Sequence, residues 1–139
     1  GNMLPFLFLA PMLEQRIGPK KITILYVVTG IGSGLFYMLL KQYVSPNDLT
    51  PLVGASGATF GLLMAMGMYF PDEKIIIFPL PMPIKIKYFV LFYGAFEAYN
   101  TLNKSGGNVA HEAHLIGLAL AFILIFIWSK TDKGSDYNY

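Results

Sequence analysis

Ser56 and His114 are the residues in this chain whose types and surroundings point to chemistry. Ser56 lies in Gly54-Ala55-Ser56-Gly57-Ala58, and His114 in Ala110-His111-Glu112-Ala113-His114-Leu115-Ile116-Gly117, each opening an apolar stretch. A hydroxyl nucleophile and an imidazole base are the two groups that acyl transfer requires. Both fall at the ends of segments suited to a bilayer, where a polar side chain needs a partner or a task. Read alone, Gly, Ala and Ser are ordinary packing residues of membrane helices, so the serine gains meaning only through its partner.

The elements that must position this pair are apolar helices. Of 139 residues, 55% are hydrophobic and only 13% charged, against roughly 25% charged in soluble domains. The length allows one domain, an all-α polytopic membrane protein. Apolar spans are expected near residues 3–13 (partial), 22–40, 52–70, 86–102 and 109–128, interrupted by charged or Pro-rich turns. These form a core over 1–129, followed by a polar, disordered tail at 130–139. The first span lacks a basic flank and reads as the inner part of a helix whose beginning is missing, not as a signal peptide. A net charge of +2 gives no reason to invoke nucleic acid, and the absence of cysteine excludes disulfides and thiol chemistry.

Basic residues are divided unevenly among the connections. Arg16, Lys20, Lys21, Lys74, Lys85, Lys87, Lys130 and Lys133 fall on one side of the expected spans, and only Lys41 and Lys104 on the other. This places the first side, and the C-terminus, in the cytoplasm. Ser56 and His114 then both start helices running from outside to inside. Gly54 to Phe70 would extend about 25 Å at the ~1.5 Å helical rise, short of a ~30 Å hydrocarbon core. Ser56 is therefore recessed below the outer surface, beside unpaired N–H groups able to stabilise an oxyanion. The polar loop 43–53, with Pro46, Asn47, Asp48 and Pro51, would help admit water.

Gly57, Gly61 and Ala65 form one stripe of small residues, and His114, Gly117 and Ala121 share a helix face at i, i+3 and i+7. Gly57, Gly61, Gly117 and Ala121 are expected at one tight interface that carries His114 to Ser56. A zinc site is disfavoured. His111 and His114 are three apart where the metalloprotease pattern needs four, and neither cysteine nor a third ligand is evident. His111 is read as an interfacial residue, Glu112 as a solvated helix-end residue, and no acid is expected beside His114. Glu97, inside the fourth span, is read as a hydrogen-bonded structural carboxylate, with a transporter role as its rival.

Gly54-x-Ser56-Gly57 and Ala113-His114-x-x-Gly117-x-x-x-Ala121 together resemble the rhomboid family of intramembrane serine proteases. Glu14-x-Arg16-x-Gly18 resembles the motif of that family's first cytoplasmic loop. The resemblance covers essentially the whole chain and about five of the family's six core helices, without the first helix and the start of the second. It implies a serine endopeptidase with a Ser56–His114 dyad, cutting transmembrane protein substrates within the lipid bilayer, with no cofactor and no metal. It implies oxyanion donors from the Ser56 backbone, with Gly57 beside it, and from the Asn2 side chain. The histidine that accompanies this asparagine in the family would fall before Gly1. Phe60 takes the place of an aromatic that stacks on the histidine, and Gly117 and Ala121 support it. The implied location is a bacterial inner membrane. The alternative is a catalytically silent relative that binds membrane helices, and the oligomeric state is left open.

Overall fold

The structure is a computed structural model describing residues 3–44, 46–47, 55–77, 79–103 and 111–135. Asn2, Gly54, Val109 and Ala110 lie outside the described residues, as do Asp48 and Pro51 of the polar loop. Four helices follow in order, α1 (Met3–Val44), α2 (Ser56–Tyr69), α3 (Ile86–Asn103) and α4 (His111–Ser135). A short antiparallel pair, β1 (Lys74–Ile75) and β2 (Ile84–Lys85), joins α2 to α3 with Lys74 opposite Lys85 and Ile75 opposite Ile84.

The first two expected spans form one element, α1, with a break at Gly18 (φ 85°, ψ 161°). That backbone region is essentially closed to residues bearing a Cβ. Pro19 follows immediately, its fixed φ suited to the first position of the resumed helix. Element α1 is two helices that meet at Gly18, so the described residues hold four helical elements, the first of them in two pieces. Helix α4 also runs on to Ser135, into the segment expected to be a disordered tail. Lys21 Nζ donates to Asp132 Oδ2 at 2.6 Å, tying these last turns to α1 just beyond its break.

Among the described residues two helices, over Leu7–Val44 and His111–Asp132, are long and apolar enough to cross a bilayer. Large apolar side chains such as Ile31, Leu91, Phe92 and Ile127 are exposed along α1, α3 and α4. The buried core joins Leu13 and Leu25 of α1 to Leu62, Ala65 and Met66 of α2, with Val90 of α3 and Ala121 and Ile125 of α4.

Helix α2 packs against α1, α4 and α3, and its small residues explain how it fits among three neighbours. A Cβ on Gly57 would lie 1.8 Å from Ser33 Oγ, and one on Gly61 would lie 2.5 Å from Thr29 Oγ1, both on α1. A Cβ on Gly67 would lie 2.9 Å from Val90 of α3. The expected single interface is therefore divided. Gly57 meets Gly117, but Gly61 faces Thr29 on α1, because a helix enclosed by several neighbours needs small residues on several faces.

The basic connections gather at one end. The Arg16 guanidinium lies 5.6 Å from the centre of the Tyr69 ring at the end of α2. Lys87 Nζ donates to Asp72 Oδ1 at 2.8 Å, and that hydrogen bond, reinforced by the lysine charge, holds the Asp72 carboxyl below its ordinary range.

Candidate active site

The starts of α2 and α3 are finished differently. At α3, the Ile86 and Lys87 N–H groups donate to the carbonyls of Glu73 and Pro71 at 2.9 and 3.1 Å. At α2, Ala55 occupies the cap position, and among the described residues no side chain caps the helix. A helix start leaves several N–H groups in need of an acceptor. The first turn of α2, beginning at the half-buried Ser56, thus offers donors to whatever lies beside it.

Two contacts bring the start of α4 to this turn. A Cβ on Gly117 would stand 2.3 Å from the carbonyl oxygen of Gly57 and 3.1 Å from its Cα, so the two backbones touch directly. One turn away, the Phe60 ring stacks on His114 with centroids 4.1 Å apart and planes 10° apart. Ser56 adjoins Gly57 in the chain and His114 is one turn before Gly117. The two contacts therefore hold the turns that carry Ser56 and His114 against each other at the α2–α4 interface. Ala121 lies deeper, fully buried in the common core. Tyr93 of α3 extends the aromatic group, its ring 5.3 Å from Phe60.

Helix α3 adds Glu97, the carboxylate expected in a hydrogen-bonded structural role and not beside the histidines. Glu97 is only 2% exposed, and its carboxylate reaches both histidines of α4. Oε2 accepts a hydrogen bond from His111 Nδ1, and Oε1 lies 3.1 Å from His114 Nδ1. The second approach is close but off the line of a hydrogen bond, and among the described residues His114 Nδ1 has no hydrogen-bond partner. What the approach fixes is position: the carboxylate faces the Nδ1 edge of the His114 ring. His111 is 8% exposed and buried at the same carboxylate, not placed at an interface, and its Nε2 is also without a partner. Two expectations are thereby corrected. An acid does stand beside His114, and a third potential ligand does stand beside the two histidines. Glu112, half-buried, belongs to neither arrangement.

The signal for Glu97 in the sequence was its isolation as a carboxylate within an apolar span. Its partners were hidden, because they depend on how α3 lies against α4.

The chain matches the rhomboid domain family over residues 1–131. It is 32% identical over 134 residues to Rhomboid protein 1, mitochondrial, of Saccharomyces cerevisiae, covering 93% of this chain and 37% of that protein. It is 29% identical over 142 residues to Rhomboid protease AarA of Providencia stuartii, covering 89% of this chain and 50% of that protein. RHOMBOID-like protein 1 of Arabidopsis thaliana is 43% identical over 66 residues, covering 48% of this chain and 15% of that protein. The chain thus spans half or less of the length of these relatives. No solved structure matches it.

Proposed function

This chain belongs to the rhomboid family of membrane proteins, and from that membership we propose that it is an intramembrane serine endopeptidase acting on transmembrane protein substrates. Ser56 Oγ attacks the scissile carbonyl while His114 Nε2 accepts its proton, and the oxyanion that forms accepts hydrogen bonds from the first turn of α2. His114 then returns the proton to the departing amine. In the second half of the cycle, water yields a proton to His114 as its oxygen attacks the acyl-enzyme, and His114 passes that proton to Ser56 Oγ as the acid product leaves.

Each surrounding group has a part in this cycle. Ser56 and Gly57 supply backbone donors, and the Asn2 side chain supplies another. Phe60 fixes the plane of the His114 ring from one face, and Gly117 permits the close approach of α4. Glu97 stabilises the imidazolium formed when the serine proton is taken, so the unit has three members. A substrate helix must unwind before its bond reaches Ser56, since an intact helix keeps its carbonyls hydrogen-bonded. The chain sits in the membrane with Lys130 on the cytoplasmic side and Ser56 open to water from the opposite one.

The observation that supports this reading is the packing of the turns that carry Ser56 and His114, through the Gly57–Gly117 contact and the Phe60–His114 stack. Its test is cleavage of a single-span reporter co-reconstituted with the protein in liposomes. Ser56→Ala and His114→Ala should each abolish cleavage, and the double variant should lose about as much as either alone. Persistent cleavage by Ser56→Ala would sink the assignment. Helix binding without any cleavage by the unaltered protein would instead favour the silent relative.

A further inference from the structure

Glu97, His111 and His114 place two imidazoles and a carboxylate around one small volume. One ligand atom from each lies within 4.8 Å of the others. All three side chains are buried, and among the described residues His114 Nδ1 has no hydrogen-bond partner. A buried polar nitrogen is rarely left so, and such a group calls for an explanation.

We propose that Glu97, His111 and His114 bind a zinc-type transition-metal dication, and that its binding switches off the serine site. Two histidines and a glutamate are a ligand set that zinc accepts, with further coordination positions open to water. Zinc bonds of about 2.0–2.1 Å in a tetrahedral arrangement separate neighbouring ligand atoms by roughly 3.3 Å. The 3.1 Å between Glu97 Oε1 and His114 Nδ1 is already close to that edge. A cation lying between these atoms also suits an approach that is poorly directed for a hydrogen bond. The ligands come from two packed helices, with the histidines at i and i+3 of α4, so the donors are held without a loop having to order itself.

The inhibitory consequence follows from imidazole chemistry and rests on the protease reading. A neutral ring that gives its Nδ1 lone pair to a metal carries its proton on Nε2. That nitrogen then has no lone pair with which to take the Ser56 proton. Metal binding at His111 Nδ1 likewise moves that ring's proton to Nε2 and replaces the hydrogen bond to Glu97 by a metal bridge. No bond in the protein is broken and no redox partner is required.

The test uses the whole chain without a polyhistidine tag, purified in detergent micelles. In Ser56→Ala, which cannot proteolyse, Co2+ should bind one per chain and produce the intense visible bands of four- or five-coordinate cobalt, which Zn2+ should then displace. Glu97→Gln and His111→Asn, checked for retained helicity and melting temperature, should each weaken binding by at least about tenfold. In the unaltered protein, Zn2+ should block fluorophosphonate labelling of Ser56, and a chelator should restore it. Labelling of His111→Asn should respond to Zn2+ much less, relative to its own metal-free rate. Absence of the cobalt bands in Ser56→Ala, or bands that persist in both ligand variants, would overturn the site. Cobalt binding that follows the three ligands, in a protein never labelled with or without zinc, would uphold the metal site and defeat the protease reading instead.

Discussion

At the scale of single residues, the question is what Glu97 contributes to His114. A carboxylate 3.1 Å from Nδ1 acts through its charge, so Glu97→Gln keeps the shape and removes the effect. It should lower kcat by about 10²-fold, within the usual range for general acid–base assistance, and leave KM nearly unchanged because the substrate does not touch it. A reporter assay resolving kcat from KM checks this, and an unaltered kcat would return Glu97 to a structural role. The Phe60 stack makes a separate demand. Phe60→Leu preserves apolar bulk but not the flat face 4.1 Å from the imidazole, and should slow turnover more than it lowers the melting temperature. Ser56, His114 and Phe60 were legible in the sequence because each belongs to a short pattern. Glu97 and His111 were not, because the carboxylate joins two histidines across a helix pair separated by residues 104–110, a contact that no local spacing encodes.

At the scale of elements, glycine acts here for two different physical reasons, and substitution separates them. Gly117 is needed for room. Alanine there would drive a methyl group to 2.3 Å from the Gly57 carbonyl, and moving backbone to relieve it should cost about 1–3 kcal/mol. Gly18 is needed for its backbone angle. A Cβ there meets nothing within 4 Å, but φ is +85°, and the strain of alanine should cost about 1–3 kcal/mol. The two losses will be similar in unfolding experiments. Only Gly117→Ala should also depress serine reactivity, because only that residue packs against the turn that carries Ser56. Equal activity loss in both variants would show that the α2–α4 approach has no special bearing on the site. The small-residue stripes made close packing legible, but not which neighbour each glycine would meet. Thr29 and Ser33 took two of those places because their hydroxyls bond within α1, to the Leu25 and Gly30 carbonyls, and so are compatible with a dry interface.

At the scale of the whole molecule, the basic residues divide the bundle into two ends. The break of α1, the β1–β2 turn and the last turns of α4 lie together at the basic end, and Ser56, Glu97, His111 and His114 lie toward the other. The absence of cysteine makes sidedness easy to measure with single introduced thiols. Thr131→Cys, exposed near the end of α4, should react with an impermeant maleimide only from the cytoplasmic side. Asn47→Cys, exposed after α1, should react only from the opposite side. The reverse pattern would invert the orientation drawn from the basic residues.

The central claim is that Ser56 is made nucleophilic by His114. Its most direct measurement is reaction of the membrane-reconstituted protein with a fluorophosphonate, with the modified residue located by mass spectrometry. The account predicts adduct at Ser56 alone, formed far more slowly in His114→Ala. Modification of other serines at the same rate as Ser56, or undiminished reaction of Ser56 in His114→Ala, would contradict it.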